Sequence, residues 1–285
     1  MSATRLVLIS VLLLAPGAAF ASATFHGVER QITRDAADQY DPAISGNLIV
    51  YTDNRGVDRD VYYFDLSSAQ EVQVTAAHGA QELSDVHGSN IVYTDYTAGD
   101  VVLYEVDTGN TFNLTHQSPG QAVEPAIGER LVVWQDNRDG NWEIYARELG
   151  SGLERRVTTS GTPDMAPATS GLTVVWEQCP TSTSCDIAAW DWDSATVRMI
   201  TSTPGDERRP DISGRLVTYE AVRDGERDVY VFDLATWTEK RLSMPGVQRN
   251  PNISGEYVAF EDLAGGASDI LLWHVTTGSV FRVTV

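Results

Sequence analysis

The sequence predicts an all-β chain, a six-bladed β-propeller with four antiparallel strands per blade. Three observations predict it. A strand–loop–strand unit recurs six times with a period of about 42 residues, a spacing typical of propeller blades. Each unit holds four short apolar or aromatic runs separated by turn residues. The middle two runs, LIVYTD and DVYYFDL in the first unit, are apolar on both faces, as a strand covered on both sides requires. No stretch sustains the helical periodicity of a solenoid, and a β-helix would repeat at shorter intervals.

The chain opens with MSATRLVLISVLLLAPGAAFASA. Arg5 precedes an apolar core from Leu6 to Leu14, a Pro-Gly break follows, and small residues stand at Ala19, Ala21 and Ala23. This is the pattern of a secretory signal, with cleavage expected after Ala21 or Ala23. The core is too short to span a bilayer, which takes about 20 apolar residues. No cysteine follows the small residues, so no lipid anchor is indicated. Residues 1–23 are expected to be a signal peptide and residues 24–285 the propeller. The expected destination is the periplasm, the cell surface or the extracellular space.

The units follow in order. They are DPAISGNLIVYTDNRGVDRDVYYFDL (41–66), SDVHGSNIVYTDYTAGDVVLYEVD (84–107), EPAIGERLVVWQDNRDGNWEIYAREL (124–149), APATSGLTVVWEQCPTSTSCDIAAWDW (166–192), RPDISGRLVTYEAVRDGERDVYVFDL (209–234) and NPNISGEYVAFEDLAGGASDILLWHV (250–275). The inner run carries Pro42, Ser84, Pro125, Pro167, Pro210 or Pro251. A Ser-Gly pair in most units permits a tight turn into the second run. The second run ends on Tyr51, Tyr93, Trp134, Trp176, Tyr219 or Phe260. Polar glycine-containing loops such as NRGVDR suit a hairpin into the third run. A fourth run closes on Thr or Ser: EVQVT, TFNLT, ERRVT, VRMIT, EKRLS and FRVT. ERQIT (29–33) has the same form and precedes the first unit, so seven outer-strand candidates serve six blades. Either ERQIT or FRVTV (281–285) closes the last blade, or both pair there.

The third run opens on an acid in every unit: Asp60, Asp100, Glu143, Asp186, Asp228 and Asp269. A position repeated in all blades supports the blade, and a carboxylate beside a hairpin accepts backbone N–H groups from the turn. In QDNRDGNWE, the oxygen donors Asp136, Asp139 and Glu143 outline a weak calcium candidate. They lie in a hairpin and lack the twelfth-position Glu of the helix–loop–helix site. Cys179 and Cys185 flank a polar loop between two strands, the arrangement of a hairpin-closing disulfide in an exported protein.

The stretches VVWQDNRDGNWEIY (132–145) and YTDNRGVDRDVYYFDL (51–66), with their Thr-ended outer runs, resemble the TolB-like propeller repeat. That repeat joins an aromatic-x-acid-x-Arg hairpin to an acid-Ile-Tyr strand. The resemblance covers residues 29–285. At the blade entry this chain has PAISG where the family has Trp-Ser-Pro-Asp-Gly, as in repeats of exported and cell-surface proteins. The α/β domain that precedes the TolB propeller is not expected in this chain. The resemblance implies a six-bladed propeller and protein binding.

The charge narrows the partners. Forty acids against 20 Lys and Arg give a net charge of −20, which repels nucleic acid and anionic lipid. No nucleic acid, no membrane insertion and a monomer are expected. His26, His78, His87, His116 and His274 form no zinc-hydrolase spacing. A Gly-x-Ser-x-Gly elbow and the sialidase-type aspartate box are also missing. The expected function is non-catalytic binding of a protein or glycan on one propeller face, without a cofactor. Residues of the loops before the inner strands that vary between blades are the candidates: Asp38, Gln39, Gln81, Gln121, Asp164, Glu207, Arg208 and Arg249. Two alternatives stay open. One is a lyase or glycosidase using acids and His87 or His116 at the channel. The other is a surface or matrix protein that holds divalent cations.

Overall fold

A computed structural model of the chain describes residues 30–115, 119–242, 244–264, 266 and 268–284. The expected signal peptide, His26 and His116 lie outside the described residues. The described residues form six four-stranded antiparallel sheets and no helix, and each sheet is built from four strands consecutive in sequence. Blade 1 runs from the inner strand Gln39–Ser45 through Leu48–Asp53 and Asp60–Asp65 to the outer strand Gln70–Gln73. The later inner strands are Gln81–His87, Ala122–Ile127, Asp164–Ser170, Asp206–Ser213 and Gln248–Ser254. Blade 6 ends on the outer strand Val280–Arg282, which pairs with Asp269–His274. The C-terminal candidate therefore completes the last blade, and residues 30–33 form no strand.

The two-sided middle strands build cores between blades. Val50, Val61 and Tyr63 of blade 1 meet Val86, Ile91 and Tyr93 of blade 2. Leu131, Val133 and Ile144 of blade 3 meet Val174, Trp176 and Trp190 of blade 4. The second-strand aromatics Trp134, Trp176 and Tyr219 anchor these cores and are fully buried, as is Tyr51 on the other face of blade 1. Gly88 and Gly214 turn inner strand into second strand at φ +59°. Their amides donate to Ser45 and Ser170 of the preceding blade at 3.0 and 3.1 Å.

The repeated acids are scaffold, through a partner the hairpin pattern did not suggest. Thr75 Oγ1 donates to Asp60 at 3.0 Å and accepts the Val61 N–H at 2.9 Å. Thr115, Thr158, Thr201 and Thr284 do the same for Asp100, Glu143, Asp186 and Asp269. In blade 5, Asp228 pairs with Arg241 at 2.7 Å. A hydroxyl can donate and accept at once, so one Thr fastens an exposed outer strand to the buried start of the third. This accounts for the Thr that closes five of the six outer runs; Ser243, which closes the other, lies outside the described residues. Cys179 and Cys185 are bonded and close the hairpin between Thr173–Thr181 and Ser184–Asp191.

Candidate binding face at the mouth of the central channel

The six inner strands surround the channel, and each bulges at the same place. The register slips just before the repeated Pro or Ser, and one residue takes positive φ: Asp41 (48°), Leu83 (55°), Glu124 (52°), Ala166 (49°), Arg209 (54°) and Asn250 (52°). This conformation is rare for residues with a Cβ, and a residue before Pro normally stays extended. The neighbouring blade supplies the compensation. At four of the six bulges the side chain after the second-strand aromatic of the preceding blade accepts the bulge amide, whereas Thr52, which precedes the Leu83 bulge, has no hydrogen-bond partner among the described residues. Glu124 N–H donates to Thr94 at 3.1 Å, Ala166 to Gln135 at 3.0 Å, Arg209 to Glu177 at 2.7 Å and Asn250 to Glu220 at 2.8 Å.

The adjoining hairpins are clamped in alternate blades. Arg55, Arg138 and Arg223 lie over Tyr62, Tyr145 and Tyr230 at 4.3, 4.1 and 4.3 Å. Arg55 binds Asp53 and Glu71, Arg138 binds Asp136 and Glu154, and Arg223 binds Glu207 and Glu239. The calcium candidates are engaged in this scaffold. Asp136 pairs with Arg138, Asp139 holds Arg156 at 2.9 Å, and Glu143 accepts Thr158 at 2.6 Å. A cation entering there would have to displace guanidinium groups.

Several loop candidates turn into the blades. Gln39 is buried and donates to Asp53 at 3.0 Å, Asp164 accepts the Trp176 indole N–H at 3.0 Å, and Glu207 accepts Thr203 at 2.6 Å. Gln81 is buried with neither amide atom hydrogen-bonded among the described residues. Asp38 and Gln121 are exposed. Arg208 binds Glu177 at 3.1 Å and Asp206 at 2.8 Å, and Arg249 binds Glu261 at 2.9 Å. The bulges instead bring Asp41 and Glu124 to the mouth, beside Glu82, with Arg209 on blade 5. Sequence reasoning passed over Asp41, Glu124, Arg209 and Tyr96. The available signal was the residue before the repeated Pro, which changes character from blade to blade inside an otherwise constant motif.

These groups share one field. Burial raises the Glu124 carboxyl above its ordinary range, Glu177 and Asp41 push the same way, and Arg209 opposes them. Burial also raises Asp41 and Glu82, with Arg59 opposing in both cases. Arg59 pairs with Glu82 at 2.7 Å. Asp41 and Glu124 carry no ion pair or side-chain hydrogen bond among the described residues. Tyr96, part-exposed, has its hydroxyl raised by burial and then by Glu82 and Glu124. His87 stands at the opposite end of its strand from Glu82, roughly 16 Å away at the rise of an extended strand.

Deeper in the channel, Asp85 accepts Val86 and Ile127 N–H groups at 2.8 Å each, and Asp211 accepts Ile212 at 2.8 Å and Ile253 at 2.7 Å. Burial outweighs these donors and pushes both carboxyls up to about 6. Their folded values exceed the unfolded one, so between roughly pH 4 and 6 the folded chain binds more protons, and stability rises as pH falls through that window. Glu71 and Asp269 behave oppositely. Hydrogen bonds from Arg55 and Arg282 hold them below their ordinary values, and their contribution is lost on further acidification. The melting temperature is therefore expected to peak at about pH 5. Asp85→Asn combined with Asp211→Asn should flatten the rise between pH 7 and 5. An unchanged slope in thermal melts would refute the assignment.

No family model matches the chain. Over 123 residues it is 26% identical to a TolB homolog of Chlorobaculum tepidum, a match covering 42% of this chain and 28% of the relative. The chain thus spans less than a third of the length of the curated relatives it matches. Among solved structures, TolB from Acinetobacter baumannii superposes with a TM-score of 0.54 at 14% identity, covering 87% of this chain and 68% of that one. Oligogalacturonate lyase from Vibrio parahaemolyticus gives 0.67 at 12% identity, covering 89% and 80%. The propeller domain of the Trilobed protease from Pyrococcus furiosus, described as having an open velcro topology, gives 0.64 at 12% identity, covering 87% and 98%. At these identities the structural likeness shows a shared propeller fold.

Proposed function

We propose that this six-bladed propeller of TolB-like repeats is a non-catalytic module that binds a protein partner at the mouth of its channel, and that the partner presents a cationic group to Asp41 and Glu124. One observation carries the reading. Glu82, Glu177, Glu220 and Glu261 around the mouth are each paired with an arginine, whereas Asp41 and Glu124 are not. Glu124 is part-buried and raised by burial and then by Glu177, so it gains most from an added positive charge, with the exposed Asp41 beside it as a second acceptor. The net charge of −20 also speeds encounter with a basic segment. Tyr40 and Tyr96, both part-exposed, add aromatic surface beside the acids. The distance of His87 from these acids supports binding over acid–base chemistry. The reading includes export, supported by the leader pattern and the Cys179–Cys185 bond.

The test is a fluorescence or calorimetric titration with a synthetic lysine-rich peptide, using its lysine-acetylated form as control. The unmodified chain is expected to bind only the charged peptide, more weakly as salt rises. Glu124→Lys with Asp41→Lys should weaken binding at least ten-fold without lowering the melting temperature. Equal binding by the charge-reversed variant would refute the site. Turnover of a polysaccharide by the purified chain would replace the reading with an enzymatic one.

A further inference from the structure

The seam between blades 6 and 1 differs from the other five. Elsewhere, apolar clusters bridge adjacent blades, and the last of these joins blade 5 to blade 6. The cluster on the blade 1 face that looks toward blade 6 holds Ile49, Tyr51, Tyr62 and Phe64, and its one outside member is Ile32. No hydrogen bond or ion pair joins blade 6 to blade 1 among the described residues. Ile44, next to the end of the blade 1 inner strand, is 52% exposed, whereas its counterparts Val86, Ile127, Ile212 and Ile253 are 4 to 8% exposed. Glu261, whose counterparts Thr94, Gln135, Glu177 and Glu220 accept the next bulge amide, holds Arg249 and Asn250 of its own blade.

Residues 30–33 occupy a telling place. Val74, Val157, Ile200 and Leu242 each precede the Thr or Ser that closes an outer run, and each packs into the core shared with the following blade. Ile32 precedes Thr33 in the same way and packs on blade 1, as though residues 30–33 were the outer strand of the blade before it. That blade is blade 6, where Thr284 already holds Asp269 and the Ile270 N–H. Thr33 donates to Gln39 at 2.9 Å instead.

We propose that residues 30–33 and 281–284 are alternative outer strands of blade 6, and that exchanging the second for the first clasps the ring shut. Ile32 keeps its packing on blade 1 and adds a ladder to blade 6. Thr33 takes over Asp269 and the Ile270 amide. Because residues 30–33 run directly into the blade 1 inner strand, the exchange draws blade 6 against blade 1. Glu261 then accepts the Asp41 amide, as Glu220 accepts that of Asn250, and the mouth gains a fifth tie beside the four already present. The clasp does not depend on what the mouth binds.

Cross-linking in the full chain tests it. Leu271 stands opposite Arg282 in the ladder, and after exchange Gln31 stands in that place. Two cysteine pairs are compared under mild oxidation, Leu271→Cys with Arg282→Cys and Leu271→Cys with Gln31→Cys, read by intact mass. Both are expected to bridge, and the bridge to position 31 should leave the last residues open to carboxypeptidase. Bridging of the first pair alone would overturn the proposal. Truncation after Gly278 gives an independent measure, since residues 30–33 should then hold the blade. Ile32→Asp should lower the melting temperature more in the truncated chain than in the full one. Equal shifts in the two backgrounds, or loss of folding by truncation alone, would also overturn it.

Discussion

Replacing Trp176 with alanine is expected to destabilise the propeller by about 3–5 kcal/mol, the range for deleting a large buried aromatic. Trp176 is fully buried in the joint between blades 3 and 4, among Leu131, Val133 and Ile144. Its indole N–H donates to the buried Asp164 at 3.0 Å. Alanine opens a cavity between two sheets and strips that carboxylate of a donor, leaving Ser160 at 2.7 Å. Trp176→Phe fills most of the volume and loses only the hydrogen bond, so about 1–2 kcal/mol is expected. The check is the denaturant midpoint at unchanged slope. A loss under about 1 kcal/mol for alanine would mean that this joint does not hold the blades together.

The second large effect concerns the ring of bulges. Glu177 accepts the Arg209 amide at 2.7 Å and the Arg208 guanidinium at 3.1 Å, with only 5% of its surface exposed. Glu177→Leu leaves a part-buried amide and a part-buried guanidinium without this acceptor, so a loss of about 2–3 kcal/mol is expected. Glu177→Gln should cost far less, because Gln135 performs the same task for Ala166 in the preceding blade at 3.0 Å. The contrast separates two roles. If Glu177 acts only through its charge, both substitutions destabilise alike. If it acts as the acceptor that holds a positive-φ residue in place, glutamine is tolerated and leucine is not. Denaturant curves of the three chains decide it.

Much of this architecture is legible without coordinates. The repeated aromatic predicts a buried anchor, and Trp134, Trp176 and Tyr219 are that anchor. The repeated acid predicts scaffold, although the hydroxyl that satisfies it comes from the outer strand. The cysteines predict a hairpin staple, and the bond forms there. The loop before each inner strand was harder to read. Gln39, Gln81, Asp164 and Glu207 read as surface residues because they are polar and variable, yet each is under 9% exposed. A bulge shifts the alternation of a strand by one residue, so residues before and after it cannot be assigned to faces by counting.

The sequence by itself determined the number of blades, the four strands in each and the buried aromatics between them. These follow from local periodicity, and each unit carries the pattern within its own residues. Tertiary structure decided which polar groups look into the channel and how the ring meets itself. At four of the six bulges the positive-φ residue is held by an acceptor on the next blade back, and that pairing joins residues about 30 positions apart. The choice between two outer strands for blade 6 joins opposite ends of the chain. No local pattern distinguishes Thr33 from Thr284, because both fit the same slot and only the packed ring selects between them.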